Sequence, residues 1–212
     1  MMTHKYRHLG ELNQKFSQQR NAIRGRLEEF SHVPQSRYFY ELVYCFLTPQ
    51  TSAVNAAKAQ AMLERNNFLI SDFDPAPMLH QPDYYIRFHK TKSSRLAEMK
   101  KNFPDILSVV RNGQSAFHKR EWLSTNVKGL SYKEATHFLR NVGLNSELAI
   151  LDRHILKNLN YHGVIRAVPA ALTKKRYLAI ETKFQRFARE VGISVNELDL
   201  LFWSNETGEI LK

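Results

Sequence analysis

Lys133 and Asp152 are the two side chains of greatest chemical interest, standing 19 residues apart within EWLSTNVKGLSYKEATHFLRNVGLNSELAILDRHIL, residues 121–156. A lysine amine without its extra proton attacks electron-poor carbon, and a carboxylate accepts a proton or stabilises positive charge as a bond breaks. Each residue also has a plainer reading. A lysine in the first turn of a helix is ordinarily solvated, and an aspartate just ahead of a helical pattern ordinarily caps it.

The elements around the pair are readable. Ser131 and Glu134 have capping-box spacing, so a helix starts there and places Lys133 in its first turn. Ala135, Phe138, Leu139 and Val142 then recur at i, i+3, i+4 and i+7 and face a core, leaving Lys133, His137 and Arg140 pointing elsewhere. Ahead of that helix, Val127-Lys128-Gly129-Leu130-Ser131 forms a short hairpin after another helical pattern. A glycine-containing turn at a helix start can present several unpaired amides to a phosphate oxygen, although many helical proteins carry such a turn with no ligand. A free lysine amine titrates near ~10.4, and the helix dipole opposes its charge by less than about one unit, so nucleophilic use requires removal from water as well. The sequence therefore predicts that Lys133 lines a partly closed pocket.

With 8 Gly and 7 Pro in 212 residues, the chain reads as all-α. Helical spacing covers residues 9–29, 36–47, 52–66, 84–101, 104–111, 116–126, 132–142, 153–160 and 173–192, the last capped by Thr173 and closed by Gly192. A further capping box, Ser194 to Glu197, opens a final helix. Residues 71–77 are either a boundary between lobes or a helix-to-helix connection. One domain, with two lobes at most, fits the length, and 43% hydrophobic residues exclude whole-chain disorder. No apolar run reaches the ~18 residues of a membrane span, and the first twenty residues lack a signal-peptide core, so an intracellular protein is expected. The single cysteine, Cys45, belongs to an apolar pattern and excludes both an internal disulfide and a four-cysteine cluster. Lys and Arg number 31 against 20 acidic residues, a net charge of +11 that favours a polyanionic partner. Runs such as His118-Lys119-Arg120 read as solvated helix faces.

The run KGLSYKEATHFLRNVG followed by AILDRHIL resembles the helix-hairpin-helix DNA glycosylases, and most of all the archaeal-type second subfamily of 8-oxoguanine DNA glycosylase/AP lyases. LTPQTS at residues 47–52, RFHKTK at 87–92 and the terminal residues 203–212 support the likeness. Ser131 is a departure, since a second glycine usually stands there. The resemblance implies two helical lobes, a hairpin motif at about residues 116–142 and a lesion-base pocket between the lobes. It implies a bifunctional enzyme that flips 8-oxoguanine out of double-stranded DNA, forms a lysine Schiff base and cleaves the strand by β-elimination. Lys133 would be the nucleophile and Asp152 its acid–base or electrostatic partner. Phe88, Trp203 and Lys212 would recognise the base and Gln50 would fill the vacated stack, while Lys128, Gly129, Ser131 and His154 would contact DNA. No cofactor is expected beyond a monovalent cation on hairpin carbonyls, and the iron–sulfur cluster of some relatives has no ligands here. A monomer in the cytoplasm or nucleoid, free of membrane, is expected. Three other readings stay open: the same fold acting on another lesion, a non-enzymatic DNA-binding module, and an RNA-binding protein.

If the chain end reaches the base pocket, residues fused after Lys212 should reduce excision of 8-oxoguanine in a duplex assay. A frayed end would tolerate them.

Overall fold

A computed structural model describes residues 6–145 and 147–210. Among the described residues are ten α-helices and one two-stranded hairpin, divided between two compact units. One unit is Val33–Val142, and the other joins Met1–His32 to Gly143–Lys212. The divisions thus fall at 32/33 and 142/143. Residues 71–77 lie inside the first of these units as a connection between helices, where Asp74 Oδ1 accepts the Ala76 amide and the Ser93 hydroxyl.

The 33–142 unit holds α2 (Tyr38–Leu47), α3 (Ala53–Arg65), α4 (His89–Lys101), α5 (Phe103–Arg111), α6 (Ala116–Asn126) and α7 (Tyr132–Asn141). Helix α2 is its axis: all ten residues are buried, and it packs against α3, α4 and α7. Phe39 meets Tyr40 and Phe103 edge-on, and Phe46, Phe68 and Phe138 are fully buried around them. Cys45 is a core residue here. The second unit holds α1 (Leu9–Ser31), α8 (Arg153–Tyr161), α9 (Lys174–Val191) and α10 (Val195–Thr207). The His162 ring stacks against both Phe187 and Phe202 at its centre.

Local sequence accounts for most boundaries. Ser52, Ser115, Asp152, Thr173 and Ser194 each accept the amide three residues on, worth ~1 kcal/mol per cap. Glycine in the left-handed region closes α9 at Gly192 and α10 at Gly208.

Three expectations require correction. The helix expected from residue 84 begins only at His89, because His80–Gln81 and Tyr84–Tyr85 pair as antiparallel strands β1 and β2. Tyr84 and Ile86 are buried while Tyr85 is exposed, a period of two rather than 3.6. The basic run at 118–120 is not a solvated face: Lys119 is buried, and the fully buried Arg120 lays its guanidinium over Tyr132 and Phe117. His137 and Arg140 are also buried, since neighbours cover α7 beyond its apolar stripe; Arg140 donates to Asn141, whose amide donates to Glu41.

No described helix is long and apolar enough to cross a membrane.

Gly143, at φ +69°, has no room for a side chain, because a Cβ there would lie 2.6 Å from Ser31 Cα. Backbone on one side and a left-handed conformation on the other leave little to relax. Gly143→Ala should lower stability by about 2–4 kcal/mol in urea unfolding.

Candidate active site

In the 33–142 unit, α6, the turn at 127–131 and α7 form the helix-hairpin-helix element. The Leu130 amide closes the turn onto the Val127 carbonyl. Gly129 has φ +90°, and a Cβ on it would lie 2.7 Å from Phe46 and 3.0 Å from Arg95, so the turn needs glycine at this position. It does not need a second one. Ser131 is extended, at φ −92° and ψ 178°, and its hydroxyl completes the capping box that opens α7. Glu134 accepts both the Ser131 amide and the Ser131 hydroxyl through one oxygen. Lys128, largely exposed, pairs with Glu98 at 2.8 Å.

Lys133 sits one residue before Glu134, and only 21% of its side chain is exposed. Most of the side chain is therefore shielded from solvent. Its amine lies 3.4 Å from Thr48 Oγ1 and 3.5 Å from the second oxygen of Glu134. Both contacts are long, so the amine is shielded without being held in a tight ion pair. Thr48 donates its own proton to the Cys45 carbonyl, which leaves its oxygen facing Lys133 as an acceptor.

Gln50 and Phe88 share an uncommon backbone feature. Both have positive φ, 57° and 60°, and both side chains are exposed. Phe88 is the residue ahead of α4 and is 51% exposed, in contact with the Arg87 guanidinium. It is not a core aromatic. A residue other than glycine in this region costs of order 1–3 kcal/mol and persists where the surroundings impose it, often at functional positions.

In the other unit, both carboxylate oxygens of Asp152 are engaged. Oδ1 accepts the Ile155 amide at 2.8 Å and caps α8, and Oδ2 accepts the Trp203 indole N–H at 2.8 Å. The capping reading and a chemical role are compatible: the cap fixes the carboxylate's position, and the indole fixes its rotation. Trp203 lies inside α10, and its ring meets His154 edge-on at 5.4 Å. His154 Nδ1 lies 3.6 Å from Glu206, which also pairs with Lys157 at 2.8 Å. Lys157 and then His154 draw the Glu206 carboxyl below the usual range. Lys212 lies outside the described residues.

Three contributors escaped the sequence. Glu134 was legible as a cap but not as a neighbour of Lys133. Glu206 carried no local signal. Lys92 did: it shares a helical stripe with Leu96 and Met99 at i, i+4 and i+7, and a lysine on an apolar stripe is a buried lysine. Its amine donates to the carbonyls of Leu47 at 2.8 Å and Pro49 at 2.9 Å, and to Thr51 Oγ1 at 3.4 Å.

Lys133 on the hairpin-led helix of one unit and Asp152 at a helix start of the other are each held by contacts within their own unit. A family model described as 8-oxoguanine DNA glycosylase matches residues 23–193. An 8-oxoguanine DNA glycosylase/AP lyase of Fusobacterium nucleatum is 36% identical over 98% of this chain and 99% of its own length. One from Korarchaeum cryptofilum is 36% identical over 93% and 94%. The crystal structure of Methanocaldococcus jannaschii 8-oxoguanine DNA glycosylase superposes with a TM-score of 0.85 at 31% identity, covering 99% of this chain and all of that one. The same protein in complex with a 15mer DNA containing 8-oxoguanine gives 0.83 at 30% identity. The chain belongs to the 8-oxoguanine DNA glycosylase family.

Trp203→Phe keeps an aromatic ring and removes the hydrogen bond to Asp152. It should slow both base excision and strand cleavage at a preformed abasic site by about tenfold or more, the loss expected for one charged hydrogen bond. A Trp203 that served only to contact the base would leave abasic-site cleavage unchanged.

Proposed function

We propose that this protein is a bifunctional 8-oxoguanine DNA glycosylase/AP lyase acting on double-stranded DNA as a monomer. The observation that carries the reading is the Lys133 amine, four-fifths shielded at the start of the hairpin-led helix and held only by two long contacts. A lysine placed for solubility would be exposed, and one placed for structure would be tightly paired.

In this reading the damaged nucleotide leaves the helix before chemistry begins. Gln50 enters the gap and Phe88 offers its exposed face to the extruded base. The hairpin, which Gly129 lets close against Phe46 and Arg95, receives a backbone phosphate; Lys128 adds positive charge beside a second and His154 contacts another. Hairpin carbonyls are the oxygen donors a monovalent cation prefers, and such an ion would add charge at the same phosphate. Attack of the neutral Lys133 amine on C1′ breaks the bond to N9 of the base, which leaves with the electron pair and takes a proton. Opening of the sugar ring leaves a C1′ imine on Lys133. Loss of a C2′ proton then expels the 3′ phosphate. Asp152 takes the proton from the amine or offsets positive charge on the sugar as the base departs. Trp203, and Lys212 at the chain end, complete recognition of the base.

Names of relatives support oxidised guanine over another lesion, and the amine's surroundings support an enzyme over a passive DNA-binding module, which has no use for a shielded, loosely held amine. Borohydride reduction during reaction with an 8-oxoguanine duplex should trap a covalent protein–DNA adduct. Lys133→Gln should abolish it. Asp152→Asn, which retains an acceptor for the Ile155 amide, should leave a folded protein whose adduct forms about a hundredfold or more slowly. Intact binding with no adduct from the unaltered protein would favour the passive module.

A further inference from the structure

The buried amine of Lys92 has no part in the chemistry above, yet it lies among residues that do. Its three N–H donors meet three acceptors: the Leu47 and Pro49 carbonyls and the Thr51 hydroxyl. The two carbonyls, at 2.8 and 2.9 Å, each take one N–H, and the Thr51 hydroxyl at 3.4 Å stands beside the remaining position on the nitrogen. Burial draws the group down to about 8, partly offset by Glu134, while the charge of Lys133 adds to the lowering. Lys92 therefore remains charged at neutral pH, as a clamp and not as a second nucleophile.

What it clamps is specific. Leu47 ends α2, and residues 48–51 form the turn in which Thr48 faces the Lys133 amine and Gln50 is held at positive φ. The last carbonyls of a helix lack intrahelical partners, and a cation there supplies both hydrogen bonds and a favourable charge at the negative end of the dipole. Lys92 itself projects from the first turn of α4, directly after Phe88. One side chain thus ties the Gln50 turn to the helix that follows Phe88, inside a single compact unit.

We propose that Lys92 is a positioning residue for base extrusion, setting Gln50 against Phe88 by holding Gln50 at positive φ within the 48–51 turn. This rests on the glycosylase reading. An ammonium on three acceptors over-determines a turn that otherwise relaxes to negative φ, and a relaxed turn aims Gln50 away from the gap it must fill. The effect falls on extruding a paired, stacked base. It spares a sugar that has no base to extrude.

Lys92→Met keeps the apolar stem and removes all three donors. On an 8-oxoguanine duplex its single-turnover excision should fall about thirtyfold, while strand cleavage at a preformed abasic site changes by less than about threefold. Gln50→Ala should show the same split, and Lys92→Arg, which restores charge and donors, should recover part of the loss. Equal losses on both substrates, or excision by Lys92→Met within about threefold of the unaltered protein, would overturn the proposal. Should Lys92→Met fail to fold, Thr51→Val removes one acceptor alone. A selective excision loss of about threefold or more then supports the clamp, and a smaller one overturns it. Failure of the unaltered protein to cleave either substrate would instead overturn the glycosylase reading itself.

Discussion

Shielding an amine from water without locking it into an ion pair is the constraint on which this structure turns. Burial alone leaves a charged lysine seeking partners, and a close carboxylate at full contact would hold the proton in place. The 33–142 unit resolves this by giving Glu134 a prior commitment. Its first oxygen is engaged by the Ser131 amide and hydroxyl at the start of α7, and only the second, at 3.5 Å, faces Lys133. Thr48 adds an acceptor at 3.4 Å whose own proton is already directed to Cys45. The capping box that begins the helix and the environment of the Lys133 amine are thus one arrangement.

A parallel economy governs Asp152. One oxygen holds the start of α8 and the other holds Trp203, so the carboxylate is fixed in position and rotation by elements of its own unit. The contacts continue through the edge of His154 to Glu206 and Lys157. Pre-organised groups of this kind contribute to catalysis because they need little rearrangement when charge develops. The same bond gives Trp203 a structural part: it fixes the rotation of the Asp152 carboxylate.

Features encoded in adjacent residues were legible in the sequence. Ser131 with Glu134, Ser194 with Glu197, Thr173 ahead of α9 and Gly192 behind it each act within a few positions, so spacing alone locates them. Position beside a cap alone reads Lys133 as a solvated helix lysine and Asp152 as a cap; it is the resemblance of the surrounding run that sets them apart. Features that arise from packing were not legible. Arg120 and Arg140 look like surface residues until aromatic and amide partners from elsewhere in the fold cover them. Strand β2 falls inside the helical reading that starts at residue 84 because two residues are too few to set a period against the helical pattern that follows. The bond from Trp203 to Asp152 spans 51 residues and leaves no trace in either neighbourhood. Lys92 is intermediate: its place on an apolar stripe announces burial, but its acceptors lie 41 to 45 residues away.

Lys92, Lys119 and Lys133 are all buried or half-buried in the same unit, and the contacts of the Lys133 amine are long where those of Lys92 are short. Peptide mapping by tandem mass spectrometry of the borohydride-reduced adduct with an 8-oxoguanine duplex measures directly which of them reacts. The sugar remnant should be found on Nζ of Lys133 alone. A remnant on Lys92, or on any exposed lysine with Lys133 unmodified, would contradict the assignment of the reactive amine and the mechanism built upon it.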